Sequence, residues 1–227
     1  MQDFVHLHVH TQYSILDGQA SISRLVDKAI ADGMKGIAVT DHGDMFGIKE
    51  FFNYVNKKNG KTNGEIKDLK KKIAGLEKGK IECENPEEEL LACKEQLEAA
   101  KKKLFKPIFG CEMYVARRRL FNKEGKPDQS GYHLVVLAKN EKGYHNLIKL
   151  VSKAWTEGFY MRPRTDRVEL EKYHEGLIVC SACLAGASSL SFFNLHDVAK
   201  SAMARVHTKA FLINVCVLVF YIFSVIC

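Results

Sequence analysis

Between Phe4 and His10 apolar and polar side chains alternate one for one, with Val5, Leu7 and Val9 on one side of an extended chain and His6, His8 and His10 on the other. This pattern predicts a strand with an apolar face and an imidazole face. Ile22, Leu25, Val26, Ala29 and Ile30 then recur at helical spacing, behind Ser21 as a cap and ahead of Gly33 as a stop. Gly36 to Thr40 is a short apolar run that ends in Asp41, His42 and Gly43. The order strand, helix, strand is the beginning of a βα repeat.

Residues 57–106 have a different texture. They are dense in Lys and Glu, with Ile66, Leu69, Ile73 and Leu76 in one run and Leu90, Cys93, Leu97, Ala100 and Leu104 in another, both alternating steps of three and four. With Asn85 and Pro86 as the turn between them, the segment reads as an inserted antiparallel helical hairpin, its charges forming the solvated face of a helix pair. Strand patterns resume at Pro107–Ala116, His133–Ala138 and Gly176–Ser181, and a helix is predicted over Glu141–Trp155. The fold class is therefore α/β, a parallel barrel or an open α/β sheet. After Gly186 the character shifts, and Ala210–Cys227 is apolar except for Asn214 and Ser224. That length is the lower edge of a membrane span. An aberrant or out-of-frame terminus is the favoured expectation over a membrane anchor.

Composition changes the picture little. With 46% hydrophobic and 27% charged residues among 227, the chain has the make-up of a globular protein, and a net charge of +7 is compatible with anionic partners without requiring them. Met1–His10 lacks the basic start and apolar run of a secretory signal. Seven irregularly spaced cysteines argue for a reducing, cytoplasmic setting rather than a disulfide framework. Cys180 and Cys183 form a C-x-x-C without a second pair, and the simpler reading is two thiols beside a buried strand.

The candidate chemistry lies in the histidines and acids. His8 and His10, two apart on one strand face, can grip one metal or bridge two, with His6 in support. Asp17 on the following loop is a carboxylate ligand or a plain Asp-Gly turn residue. His42 ends the second strand, where βα folds assemble their sites. Glu112 sits in the apolar run Gly110-Cys111-Glu112-Met113-Tyr114-Val115, and a buried acid needs a partner such as a metal. His133 begins a later strand, and Cys183 follows the last one. Imidazole and carboxylate together suit zinc, manganese or iron.

Taken in order, Phe4-Val5-His6-Leu7-His8-Val9-His10-Thr11, Leu16-Asp17-Gly18, Thr40-Asp41-His42-Gly43, Gly110-Cys111-Glu112-Met113-Tyr114, Gly158-Phe159-Tyr160-Met161-Arg162-Pro163-Arg164 and Cys180-Ser181-Ala182-Cys183-Leu184-Ala185-Gly186 resemble the successive motifs of the N-terminal PHP domain of bacterial DNA polymerase III alpha subunits. The resemblance covers about residues 1–186 and leaves 187–227 as a tail. It implies a distorted (βα)7 barrel, incomplete here, that holds up to three divalent metals through His8, His10, Asp17, His42, Glu112, His133 and Cys183. It further implies a phosphoesterase or 3′–5′ exonuclease type of site, DNA and other replicative polymerase subunits as partners, and a cytoplasmic location. Arg162, Arg164 and Lys139 are candidates for holding the phosphate backbone. The polymerase's own catalytic carboxylates lie beyond the PHP region, and the family's late Asp-x-His motif is not at its spacing, so the chain alone is expected to be inactive. The competing readings are a free-standing phosphoesterase of histidinol-phosphatase type and a non-catalytic polymerase scaffold.

Overall fold

The computed structural model describes residues 4–81, 85–129 and 131–181. It is a mixed α/β protein whose chain divides into two compact units: one comprises residues 1–39 and 46–109, the other residues 40–45 and 110 onward.

In the first unit, α1 (Ile22–Ala31) buries Ile22, Val26 and Ala29, and the chain leaves it through Gly33 at φ 78°, a left-handed position that suits glycine. Ser21 occupies the cap position, although its hydroxyl caps no backbone N–H. The strand β1 (Gly36–Val39) is buried throughout and pairs in parallel with Lys106–Phe109, the first part of β2 (Lys106–Val115). Between them come α2 (Ile48–Lys58), α3 (Gly60–Glu77) and α4 (Pro86–Lys103). The last begins with proline at its first turn behind Asn85, followed by Glu87, Glu88 and Glu89, and ends in Lys101, Lys102 and Lys103, complementing the helix dipole at both ends. Ile73 and Leu76 of α3 pack on Cys93 of α4, with Leu90 and Leu97 alongside. Lys72 meets Glu89 at 2.6 Å and Lys94 meets Glu77 at 3.1 Å. At the base of this helical segment the Asn59 side chain donates to the Phe105 carbonyl (2.8 Å) and accepts from the Phe105 N–H (3.0 Å).

One expectation for this unit fails. Phe4–His10 is not a regular strand: the chain bends at Leu7, and the Ala38 N–H donates to the His6 carbonyl at 2.9 Å. Val5, Leu7 and Val9 are no more buried than His6 and His10. Alternation in sequence marks the two faces of an extended segment and does not by itself make a regular strand.

In the second unit, residues 110–115 of β2 pair antiparallel with β3 (Tyr132–Ala138), and β3 pairs antiparallel with β5 (Leu177–Ser181). The two-residue β4 (Arg164–Thr165) joins β2 in parallel at Tyr114 and Val115. The sheet is thus mixed: the connection from β2 to β3 carries only the short helix α5 (Gly125–Gln129), and the chain turns back on itself. Along β2 and β3 the side chains alternate. Cys111, Met113, Val115, Leu134 and Val136 point to one face, where Leu147, Leu150 and Val151 of α6 (Glu141–Thr156), Leu170 of α7 (Arg167–Lys172) and Leu177 complete the core. Each such side chain contributes about 1.5–3 kcal/mol of burial. Asn140 caps α6 by accepting from the Gly143 N–H at 2.9 Å. The opposite face of the same strands carries Glu112, Tyr114 and His133.

Among the described residues no helix is long and apolar enough to cross a membrane. Ala210–Cys227 lies outside the described residues, as do Cys183 and the rest of 182–227.

Candidate metal centre

Glu112 is 1% exposed, in the middle of an apolar strand, and its carboxylate is held from both sides by imidazoles. His42 Nδ1 lies 2.8 Å from Oε2 and His133 Nδ1 lies 3.0 Å from Oε1. Strand register brings these groups together. Tyr114 stands opposite His133 and Glu112 opposite Val135, so Glu112 and His133 share one face of adjacent strands. His42 enters from the chain after Thr40, where it forms a parallel bridge with Glu112: the Glu112 N–H donates to Asp41 O (3.0 Å) and the Gly43 N–H donates to Glu112 O (2.8 Å). Because β3 runs against β2, His133 reaches this end of the sheet from the start of its strand.

Around the cluster the packing is specific. The Tyr114 ring stacks on His42, with centroids 6.0 Å apart and planes 15° apart, and meets His133 edge-on at 4.9 Å. Gly43 has φ 65°, and a Cβ there would come within 2.7 Å of Pro163 Cγ and 3.2 Å of the Tyr114 ring. Its carbonyl accepts from the indole N–H of Trp155 at 2.8 Å. Burial pushes the Tyr114 phenol above its ordinary pKa, Arg162 pulling the other way. Burial likewise pushes the neighbouring Cys111 thiol far up, with Asp44, Asp41 and Glu112 adding to it. Cys111 is therefore a neutral core thiol.

The donor atoms of His42, Glu112 and His133 all lie within 4.8 Å of one another. Two imidazole nitrogens and a buried carboxylate fit a borderline divalent metal, the combination used for zinc and for manganese or iron. In the first unit, His8 and His10 stand ring against ring, centroids 4.8 Å apart, and His10 Nδ1 is 2.9 Å from Ser14 Oγ. Asp17 is exposed on the loop after them. His6 is partly enclosed, and that burial lowers its pKa despite Asp32.

One of the three phosphate-binding candidates, Arg164, is corrected. Arg164 is fully buried, and its guanidinium donates to four backbone carbonyls: Nε to Gly158 (3.1 Å), Nη1 to Asp128 (2.8 Å), and Nη2 to Leu120 (3.1 Å) and Asn122 (3.0 Å). Four of its five donors are spent on these carbonyls, and full burial keeps the group from a phosphate in solvent. Lys139 follows the last residue of β3 and is exposed, its backbone N–H donating to the Gly176 carbonyl at 2.9 Å. Arg162 is exposed too, and its guanidinium carbon lies 4.8 Å from the centre of the Tyr114 ring. The two arginines, separated by one residue in Gly158–Arg164, look alike in sequence; only the depth of β4 distinguishes them.

The model of the PHP domain family matches residues 6–97 and 87–212, running past Gly186. The chain belongs to the PHP domain family. It is similar to the DNA polymerase III subunit alpha of Borreliella burgdorferi, 42% identical over 186 residues, which is 81% of this chain and 12% of the relative. The subunits of Treponema pallidum and Aquifex aeolicus are 39% identical over 184 residues and 34% identical over 206. They cover 81% and 88% of this chain, and 12% and 14% of themselves. The PHP chain thus spans about an eighth of the length of these relatives and matches them as a fragment.

Proposed function

We propose that this PHP chain is the metal-binding N-terminal portion of a replicative DNA polymerase of the DNA polymerase III alpha type, carrying a phosphoester-hydrolysing centre of 3′–5′ exonuclease character. The observation that carries the reading is the buried Glu112 carboxylate between His42 and His133, an arrangement costly to bury without a cation and suited to receive one. His42, Glu112 and His133 hold a divalent metal, and His8, His10, Asp17 and Cys183 are further ligands, as the family resemblance implies. When bound, zinc, manganese or iron supplies a more acidic water and neutralises phosphate oxygens, so no protein nucleophile is needed. The protein's own groups bind and orient: Glu112 fixes both imidazole rings, Tyr114 packs them, and the exposed Arg162 binds a substrate phosphate oxygen. DNA and other polymerase subunits are the partners, and the location is cytoplasmic.

The same reading takes residues 57–106 as a helical hairpin inserted in a (βα)7 barrel. The Asn59–Phe105 pair at its base supports this, since the two ends meet where an insertion would leave and rejoin a barrel. On this reading the domain comprises 1–186, with 187–227 as a tail. By itself the chain retains metal but is inactive. The test is elemental analysis of the 227-residue protein after dialysis against zinc or manganese, with hydrolysis of bis(p-nitrophenyl) phosphate measured alongside. At least one equivalent of metal in the wild type, lost in His42→Ala, supports the proposal; equal metal in both overturns it.

A further inference from the structure

Next to the candidate centre the second unit exposes an aromatic pair that its core does not need. Trp155, in the last turn of α6, and Phe159, just after that helix, are 40% and 45% exposed, with ring centroids 5.7 Å apart and planes 24° apart. Met161, 69% exposed, follows in the left-handed region at φ 61°, a conformation that an unbranched non-glycine residue adopts at a cost. The turn is closed by the Tyr160 N–H, which donates to the Arg162 carbonyl at 3.0 Å. This strained turn sets Phe159 and Arg162 on the surface while burying Pro163 and Arg164 between them and the sheet. Arg162 forms no ion pair among the described residues, so its charge is available to an anion. The ledge is tied to the centre by two contacts, the Trp155 indole N–H on the carbonyl of Gly43, which follows His42, and Arg162 over the Tyr114 ring that packs on His42 and His133.

We propose that Trp155 and Phe159 form a base-stacking platform for unpaired nucleotides, with Arg162 holding the phosphate that joins them to the centre. Flat, partly exposed rings beside an available guanidinium match the two parts of a single-stranded nucleic acid, its base faces and its phosphates. Duplex DNA, whose bases are stacked on one another, offers neither ring face. The inference rests on the proposed phosphoesterase reading and narrows its substrate to a single-stranded end.

Trp155 is the sole tryptophan in the chain, so its fluorescence reports this site and no other. The experiment titrates the 227-residue protein with a single-stranded ten-nucleotide DNA, with a chain of the same length lacking bases, and with a duplex, following tryptophan emission. Quenching by the single strand and roughly tenfold weaker binding of the baseless chain and the duplex are expected, a difference within the range for losing stacking on one aromatic residue. Phe159→Ala should weaken single-strand binding about tenfold, and Phe159→Leu, which keeps apolar bulk at a half-exposed position, should do the same with an unchanged circular dichroism spectrum. Equal binding of all three ligands, or quenching unaffected by Phe159→Leu, overturns the platform. Metal content measured on the same samples separates the two ideas: quenching without bound metal leaves the platform standing and sinks the metal centre, and metal without quenching does the reverse.

Discussion

One carboxylate oxygen of Glu112 lies 2.8 Å from Nδ1 of His42, across a β-bridge that also joins their backbones. Side chain and main chain therefore set the same distance. Glu112→Gln keeps the shape and removes the charge, and retained metal should fall by about 100-fold or more in affinity, read by competition with a chromogenic chelator. Affinity within a few-fold of the wild type would remove Glu112 from the centre.

Gly43→Ala tests the backbone at the same place. A residue with a Cβ at φ 65° costs about 1–2 kcal/mol, and here the added carbon also meets Pro163 and the Tyr114 ring. Lower stability in urea and weaker metal retention should appear together. Lost stability with wild-type metal affinity would show that His42 is held by Glu112 alone.

Arg164 should behave as a structural residue. Arg164→Ala leaves four carbonyls without their donor in a fully buried setting, a loss of about 3–5 kcal/mol in urea unfolding. Arg162→Ala, by contrast, should leave the unfolding midpoint near that of the wild type and weaken oligonucleotide binding, most at low salt. The reverse pattern would overturn the assignment of roles.

Asp166 gives the fold an acid limit. Its burial acts to raise the pKa, but hydrogen bonds from Arg119 and from the N–H groups of Leu120 and Glu169 outweigh that and hold it below the ordinary carboxylate value. A group depressed in the folded state stabilises above its unfolded pKa, about 3.9, and that stability drains away as pH falls through the folded value. The stability gap between wild type and Asp166→Asn should be constant from neutral pH to about pH 5 and should close below about pH 4. A gap that persists unchanged to pH 2 would show that the carboxylate's charge is not what matters.

Much of this was legible in sequence, but unevenly. Ile22, Val26 and Ala29 announce α1, and the apolar runs at Gly36, Pro107, His133 and Gly176 place four strands within a residue or so, because burial of one face leaves a local periodic mark. Glu112 stood out as an acid among apolar neighbours, and it lies at the heart of the cluster. Pairing leaves no such mark. Nothing local says that β3 runs against β2, since that depends on residues far along the chain. The ledge of Trp155 and Phe159 escaped for a related reason: an aromatic residue at a helix end reads as core until its exposure is known.

Replacing residues 60–103 with a short Gly/Ser linker should leave a cooperative unfolding transition. Ile73, Leu76 and Cys93 satisfy one another within the helical pair, and Asn59 and Phe105 already hold its ends together. A broad, non-cooperative melt would show that these helices complete the core of the first unit.

The antiparallel run of β3 changes what kind of error the centre can survive. Tyr114 faces His133 because of a hydrogen-bonded register, and in a pleated ladder each single step of slippage turns every side chain to the other side. One inserted residue within Cys111–Val115 or Tyr132–Val135 would send His133 or Glu112 into the apolar layer beneath α6 and bring a valine or leucine up in its place. The fidelity of this constellation is thus digital rather than graded: the strands are either in frame with each other or the site does not exist.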